Sequence, residues 1–288
     1  MKFSTYFVSS LAFLTGTLAV NNFGGITASN SIGGVGTYTC RTQAQWNDLA
    51  NSAKGSGFNS IRILGFDCDA LNLASTAAAS AGMQVLAGIF FDGSVAAANV
   101  QQFQSAVQQF GAGRYIGLTI GNENNDSPTN IMNKVGQVRN TLRAAGVNTP
   151  VTTVHTWVNI RDNPVFCNGD FVGANAHAFF DPNTSAEHTG GFVFRTVVPA
   201  LRGVCGGKKI IITESGWPSR GGSNGAAVAS LDNEHSALLN LNCADRDDRS
   251  ITVFAFEYDD QLWKANDNER SFGIFGKFNL NGDVFAPC

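Results

Sequence analysis

Charge is scarce in this chain: Lys, Arg, Asp and Glu make up 14% of 288 residues and leave a formal net charge of −3. No cluster of Lys and Arg is present to release counterions from phosphates, so a nucleic-acid partner is disfavoured and a neutral or weakly polar substrate fits better. CxxC spacing is absent too, which argues against a thiolate metal or redox centre. No metal and no cofactor are expected. No GxGxxG follows the first apolar segment, which counts against a doubly wound dinucleotide-binding sheet. Beyond the N-terminal segment no apolar run is long enough to span a bilayer. With no low-complexity linker and no break in composition, a single domain is expected.

What the chain does have begins with "MKFSTYFVSSLAFLTGTLAV", where Lys2 precedes an apolar run ending in Thr17-Leu18-Ala19. That small-x-small ending reads as an export signal, residues 1–19, cleaved to leave a mature chain 20–288 with no membrane segment. All six cysteines (Cys40, Cys68, Cys167, Cys205, Cys243 and Cys288) follow it. In an oxidising compartment their even number reads as three disulfides, and the count alone leaves the pairing open. The sequons at Asn125 and Asn183 also suit export. The expected location is extracellular or in a cell wall.

Eight short apolar runs recur along the chain: 22–28, 60–66, 83–90, 115–121, 150–156, 170–177, 209–214 and 251–257. Helix-like segments fall between them at 43–54, 70–81, 94–110, 128–145, 192–204 and 226–243, with Pro128 at a helix start and Gly82 and Gly146 at helix ends. Residues 157–169 are too few and too irregular for a full helix. Strand–helix alternation in a chain of this size predicts an α/β fold, a single (β/α)8 TIM barrel, whose chemistry sits at the C-terminal ends of the strands.

Two carboxylates fall at such ends. "LTIGNENN" places Asn122 and Glu123 after the fourth run, and "IIITESGW" places Glu214 after the seventh. Two carboxyl groups facing each other across about 5–5.5 Å are what a retaining glycosidase needs, one as acid and one as nucleophile. A salt bridge closing each strand is the plainer reading of a single such glutamate, but less so for two in one barrel mouth. Arg62, inside an otherwise apolar strand, needs a buried partner, for which one of these carboxylates is a candidate.

"GNEN", then "TESGWPS", "VFAFEYDDQLWK" and "ERSFGIF", resemble glycoside hydrolase family 17 in order and spacing across nearly the whole mature chain. The resemblance implies a (β/α)8 barrel and a retaining mechanism on β-1,3-glucan, with Glu123 as acid/base and Glu214 as nucleophile. The compact layout and the positions of Cys40 and Cys68 look more like the fungal cell-wall branch, whose members often transfer glucan chains as well as cut them. That resemblance implies the pair Cys40–Cys68. Barrel order suggests Cys167–Cys205 and Cys243–Cys288. The chain departs from the plant branch in having Leu64, and His177 and Phe179, where tyrosines are common.

Around the pair, Asn122 is a candidate contact for the sugar 2-hydroxyl, and Asn175 and His177 lie on the same side of the sixth strand. His155 is a further, weaker candidate. Trp157, Phe179, Phe180, Trp217 and Trp263 offer flat faces on which the C–H patches of a sugar ring can pack; Phe180 and Trp217 are the preferred platforms. Lys264 and Glu269, with an acidic partner among Glu257, Asp259 and Asp260, match the charged group of the family's last loop. The expected partner is β-1,3-glucan and its oligosaccharides, and the expected state a monomer. A strict endo-β-1,3-glucanase, a barrel acting on another β-glycan and a non-catalytic wall-glucan-binding barrel remain open.

Overall fold

The computed structural model describes residues 20–91, 93–286 and 288, so the expected export signal lies outside the described residues. Eight strands close a parallel barrel in chain order, with the last pairing back to the first. They are β1 (Gly25–Thr27), β2 (Ser60–Arg62), β3 (Gln84–Ile89), β4 (Tyr115–Asn122), β5 (Val151–Thr156), β6 (Val172–Asn175), β7 (Ile210–Ser215) and β8 (Thr252–Ala255). The helices are α1 (Gln43–Gly55), α2 (Ala70–Ser80), α3 (Ala97–Phe110), α4 (Pro128–Ala144) and the short α5 (Trp157–Asp162). They continue with α6 (Thr189–Phe192), running through a wide turn into α7 (Val198–Cys205), and α8 (Leu231–Asp247). The expected (β/α)8 barrel is therefore present.

Local chemistry sets the helix starts. Thr42 and Gln45 form a reciprocal cap on α1. The Ser127 hydroxyl accepts from Asn130 N, ahead of Pro128 at the first turn of α4. Ser230 caps α8, which is why that helix begins at Leu231 and not at 226 as its apolar spacing suggests. Most strands are shorter than their apolar runs, because the chain leaves the sheet to build the barrel mouth: Leu64 to Phe66 depart after β2, and Phe256 to Tyr258 after β8.

Most buried apolar side chains lie between strands and helices. Leu86, Phe171, Ile211 and Phe254 form a separate apolar plug inside the barrel. Gly117 makes room for it, since a Cβ there would stand 2.8 Å from the Phe171 ring. Three disulfides tie the shell, Cys40–Cys68, Cys167–Cys205 and Cys243–Cys288, the pairings expected from the sequence. Among the described residues no helix is long and apolar enough to cross a membrane.

Candidate active site

The strand ends above the plug are irregular. The register shifts between Thr119 and Asn122 in β4, between Ala174 and Asn175 in β6, and between Ile212 and Ser215 in β7. Such irregularities re-aim side chains. Gly121 and then Glu123 adopt left-handed backbone, with φ of 75° and 52°, while Glu123 N–H donates to the Val154 carbonyl at 2.9 Å. Glu123 and Glu214 line one cleft of about 460 Å3.

Arg62 stands inside the barrel, fully buried. Its guanidinium donates to Glu214 Oε1 at 2.6 Å, to Asn122 Oδ1 at 2.9 Å and to the Thr213 carbonyl at 3.3 Å. Asn175 Nδ2 donates to Glu123 Oε1 at 2.8 Å and to Asn122 Oδ1 at 3.1 Å, and its own Oδ1 accepts from Thr213 Oγ1 at 2.8 Å. His177 Nε2 lies 3.3 Å from Glu214 Oε2, against the rings of Phe180, Phe256 and Phe272. A continuous polar chain thus runs from Glu123 through Asn175, Asn122 and Arg62 to Glu214.

The surroundings of the two carboxyls drive their proton affinities apart. Burial alone would raise Glu214, but the Arg62 charge and the His177 contact outweigh it and bring its pKa down to about 2. Glu123, open to the cleft on one side, is raised by loss of surrounding water and by the Glu214 charge, against smaller opposing effects of Asn175, His177 and Arg62. One carboxyl is poised to stay ionised and the other to keep its proton.

Other candidates sort by position. Trp157, Phe180 and Glu269 line the cleft with Asn175 and His177, as do Asp181, Phe256 and Phe272, which composition and motif did not single out. Trp217 and Phe179 do not face it. Trp217 is 0% exposed, donates from Nε1 to the Val228 carbonyl at 3.0 Å and packs edge-on against the buried Phe179. Both belong to the apolar core, where Trp217, just after β7, packs on Phe179, just after β6. His155 does not line the cleft; it is buried against Phe166, and burial brings its pKa down to about 4.

Lys264 contacts buried Glu257 at 2.8 Å and lies over the Phe256 ring. Burial works against the charged Lys264, but Glu257, Glu214 and Glu269 together raise its pKa. Burial also raises Glu257, to about 7, against the pull of Lys264. The 2.8 Å contact fits the ionised form of both groups. Asp259 and Asp260 pair with Arg41 and Arg220 behind the mouth.

A profile of the BtgE/BtgC glycoside hydrolase domain matches residues 25–275. The chain is 34% identical over 246 residues to a cell surface mannoprotein of Candida albicans, covering 82% of this chain and 63% of that one. To a probable family 17 glucosidase of Saccharomyces cerevisiae it is 32% identical over 220 residues, covering 74% and 55% respectively. It therefore spans less than two thirds of the length of these relatives. In structure it resembles the glycoside hydrolase family 17 β-1,3-glucanosyltransferase from Rhizomucor miehei, with a TM-score of 0.72 and 24% identity, over 89% of this chain and 94% of that one. An active-site mutant of that enzyme, in complex with laminaritriose, superposes with a TM-score of 0.71 at 23% identity, over 88% and 92%.

Proposed function

The chain belongs to the BtgE/BtgC glycoside hydrolase family, and from that premise we propose that it is a secreted, retaining β-1,3-glucan-active glycosidase that passes the cleaved glycosyl unit to water or to a second glucan. The observation that carries this reading is one cleft holding two carboxyls whose proton affinities are driven apart. The family 17 relatives and the laminaritriose-binding neighbour support the substrate class. The three disulfides and the cell-surface relative support an extracellular location.

In this mechanism protonated Glu123 gives its proton to the glycosidic oxygen as the C–O bond breaks, and the ionised Glu214 attacks the anomeric carbon from the opposite face. Arg62 and His177 hold the nucleophile in its charged form and orient it. Asn122, whose Oδ1 is occupied by Arg62 and Asn175, offers its NH2 to the sugar 2-hydroxyl. Once Glu214 is an ester its charge is gone, and with it one of the causes that raise Glu123. Glu123 then becomes the stronger base the second step needs, taking a proton from water or a sugar hydroxyl as that oxygen displaces Glu214.

Trp157 and Phe180 are the acceptor platforms in this reading, since both line the cleft into which Glu123 opens. A positioned sugar competes with water through the high effective molarity of an oriented neighbour. The test is to incubate the protein with laminari- and cello-oligosaccharides and size the products. Shortened and elongated laminari products at millimolar donor are expected. Shortened products alone leave an endo-glucanase, cleavage of the cello series alone contradicts the linkage, and no cleavage leaves a binding barrel.

A further inference from the structure

The sequon Asn183-Thr184-Ser185 plays no part in the catalytic chemistry. It lies between β6 and α6, on a turn at the lip of the cleft. The Thr184 N–H donates to the Asp181 carbonyl at 3.2 Å, closing a four-residue turn whose central residues are Pro182 and Asn183. Proline at the first central position presets the backbone for such a turn. Further hydrogen bonds pin it. Asp181 Oδ1 accepts from the Asn183 N–H at 3.0 Å, and its Oδ2 accepts from Thr184 Oγ1 at 2.9 Å. The Pro182 carbonyl accepts from the Ala226 N–H at 2.8 Å.

This fixed turn turns Thr184 inward and leaves Asn183 exposed. Among the described residues Asn183 hydrogen-bonds through its backbone N–H, and its side-chain amide is left to solvent. Phe180, Asp181 and Pro182 line the catalytic cleft, whereas Asn183 does not. A group attached to the Asn183 side chain therefore stands at the rim of the cleft without filling it. The other sequon is placed differently. Asn125 is exposed as well, but it is tethered two residues from Glu123, where a bulky group would crowd the loop that carries the acid.

We propose that Asn183 carries an N-linked oligosaccharide, set at the rim of the catalytic cleft. The modification depends on the extracellular route proposed above, because it is made on chains that enter the export pathway. The Asn183 Nδ2 nitrogen bonds to the anomeric carbon of an oligosaccharide carried on a lipid pyrophosphate. The carbon–oxygen bond to the pyrophosphate breaks, the lipid pyrophosphate leaves with the electron pair, and the amide gives up one proton. The folded surface accommodates the product. The amide is free, the backbone beneath it is fixed by its own hydrogen bonds, and a bulky hydrated group can project from the tip of the turn. The outer lip is covered and both carboxyls stay open.

Peptide mapping tests this on the unsubstituted protein. The full chain, with its own N-terminal segment, is produced in a eukaryotic secretory host, and exported and intracellular protein are collected separately. Peptide N-glycosidase in heavy-oxygen water converts a glycosylated asparagine into an isotope-labelled aspartate, which mass spectrometry locates. The expected result is a label at residue 183 of the exported protein. Asn183→Gln should lose the oligosaccharide mass at this site, and so should Ser185→Ala, which keeps the asparagine; Ser185→Thr should retain it. Exported protein with unlabelled Asn183 overturns the inference and leaves the extracellular location standing, and a label at Asn125 alone does the same. Protein held inside the cell and unlabelled overturns both.

Discussion

A guanidinium inside a barrel must find a counter-charge, and Arg62 finds it in Glu214 at 2.6 Å. The same contact that makes the buried arginine tolerable keeps Glu214 ionised, and the Glu214 charge in turn helps Glu123 keep its proton. It follows that Glu214→Gln should lower the pKa of Glu123, since a raising influence is removed while Arg62 and Asn175 remain. Carbon-detected titration of the Glu123 carboxyl in the two proteins checks this, and an unchanged or higher value contradicts it. The two glutamates and Arg62 were legible from the sequence because charges on apolar strands stand out. Trp217 and Phe179 were not, because an aromatic beside a strand end looks the same whether it turns into the cleft or into the core.

At the scale of elements, the motif "TESGWP" is mostly scaffold. Ser215 Oγ donates to the Ala176 carbonyl at 2.8 Å, and Trp217 packs into the core. A Cβ on Gly216 would collide with the Phe256 carbonyl oxygen. The glycine lets the end of β7 press against the segment leaving β8, and that contact helps fix where Glu214 projects. Gly216→Ala should therefore destabilise the protein by about 1–3 kcal/mol and reduce turnover together. Denaturant unfolding and activity on laminari-oligosaccharides measure both; an alanine variant of full stability would show that the close approach is dispensable. The eight apolar runs gave the strand order, but their ends misjudged where pairing stops. The register shifts near Asn122, Asn175 and Glu214 break the alternation that a reader of sequence counts on.

Over the whole molecule, two buried carboxyls away from the cleft set a dependence of stability on pH. Burial raises Glu234 to about 8 despite Lys277, and Asp245, whose oxygens make no hydrogen bond among the described residues, also to about 8. In the unfolded chain both titrate near the ordinary carboxylate range. Between those values the folded state holds more protons, so stability falls as pH rises from about 4 toward 8. Glu214 works oppositely: its contribution is present above the ordinary range and lost only as pH falls toward about 2. The midpoint of thermal unfolding should be several degrees lower at pH 8 than at pH 5. Asp245→Asn should flatten that difference, and a midpoint that rises over this interval would contradict the assignment of both groups.

Which face of the sugar ring each carboxyl serves decides which is nucleophile and which is acid. The most direct measurement removes one of them. Glu214→Ala is given an aryl β-laminarioside and azide, and the product configuration is read by proton NMR. Azide entering the face vacated by Glu214 should restore turnover and yield the α-glycosyl azide, inverted relative to the substrate. A β-glycosyl azide from this variant, or α-azide rescue appearing in Glu123→Ala and not in Glu214→Ala, would contradict the assignment of nucleophile and acid.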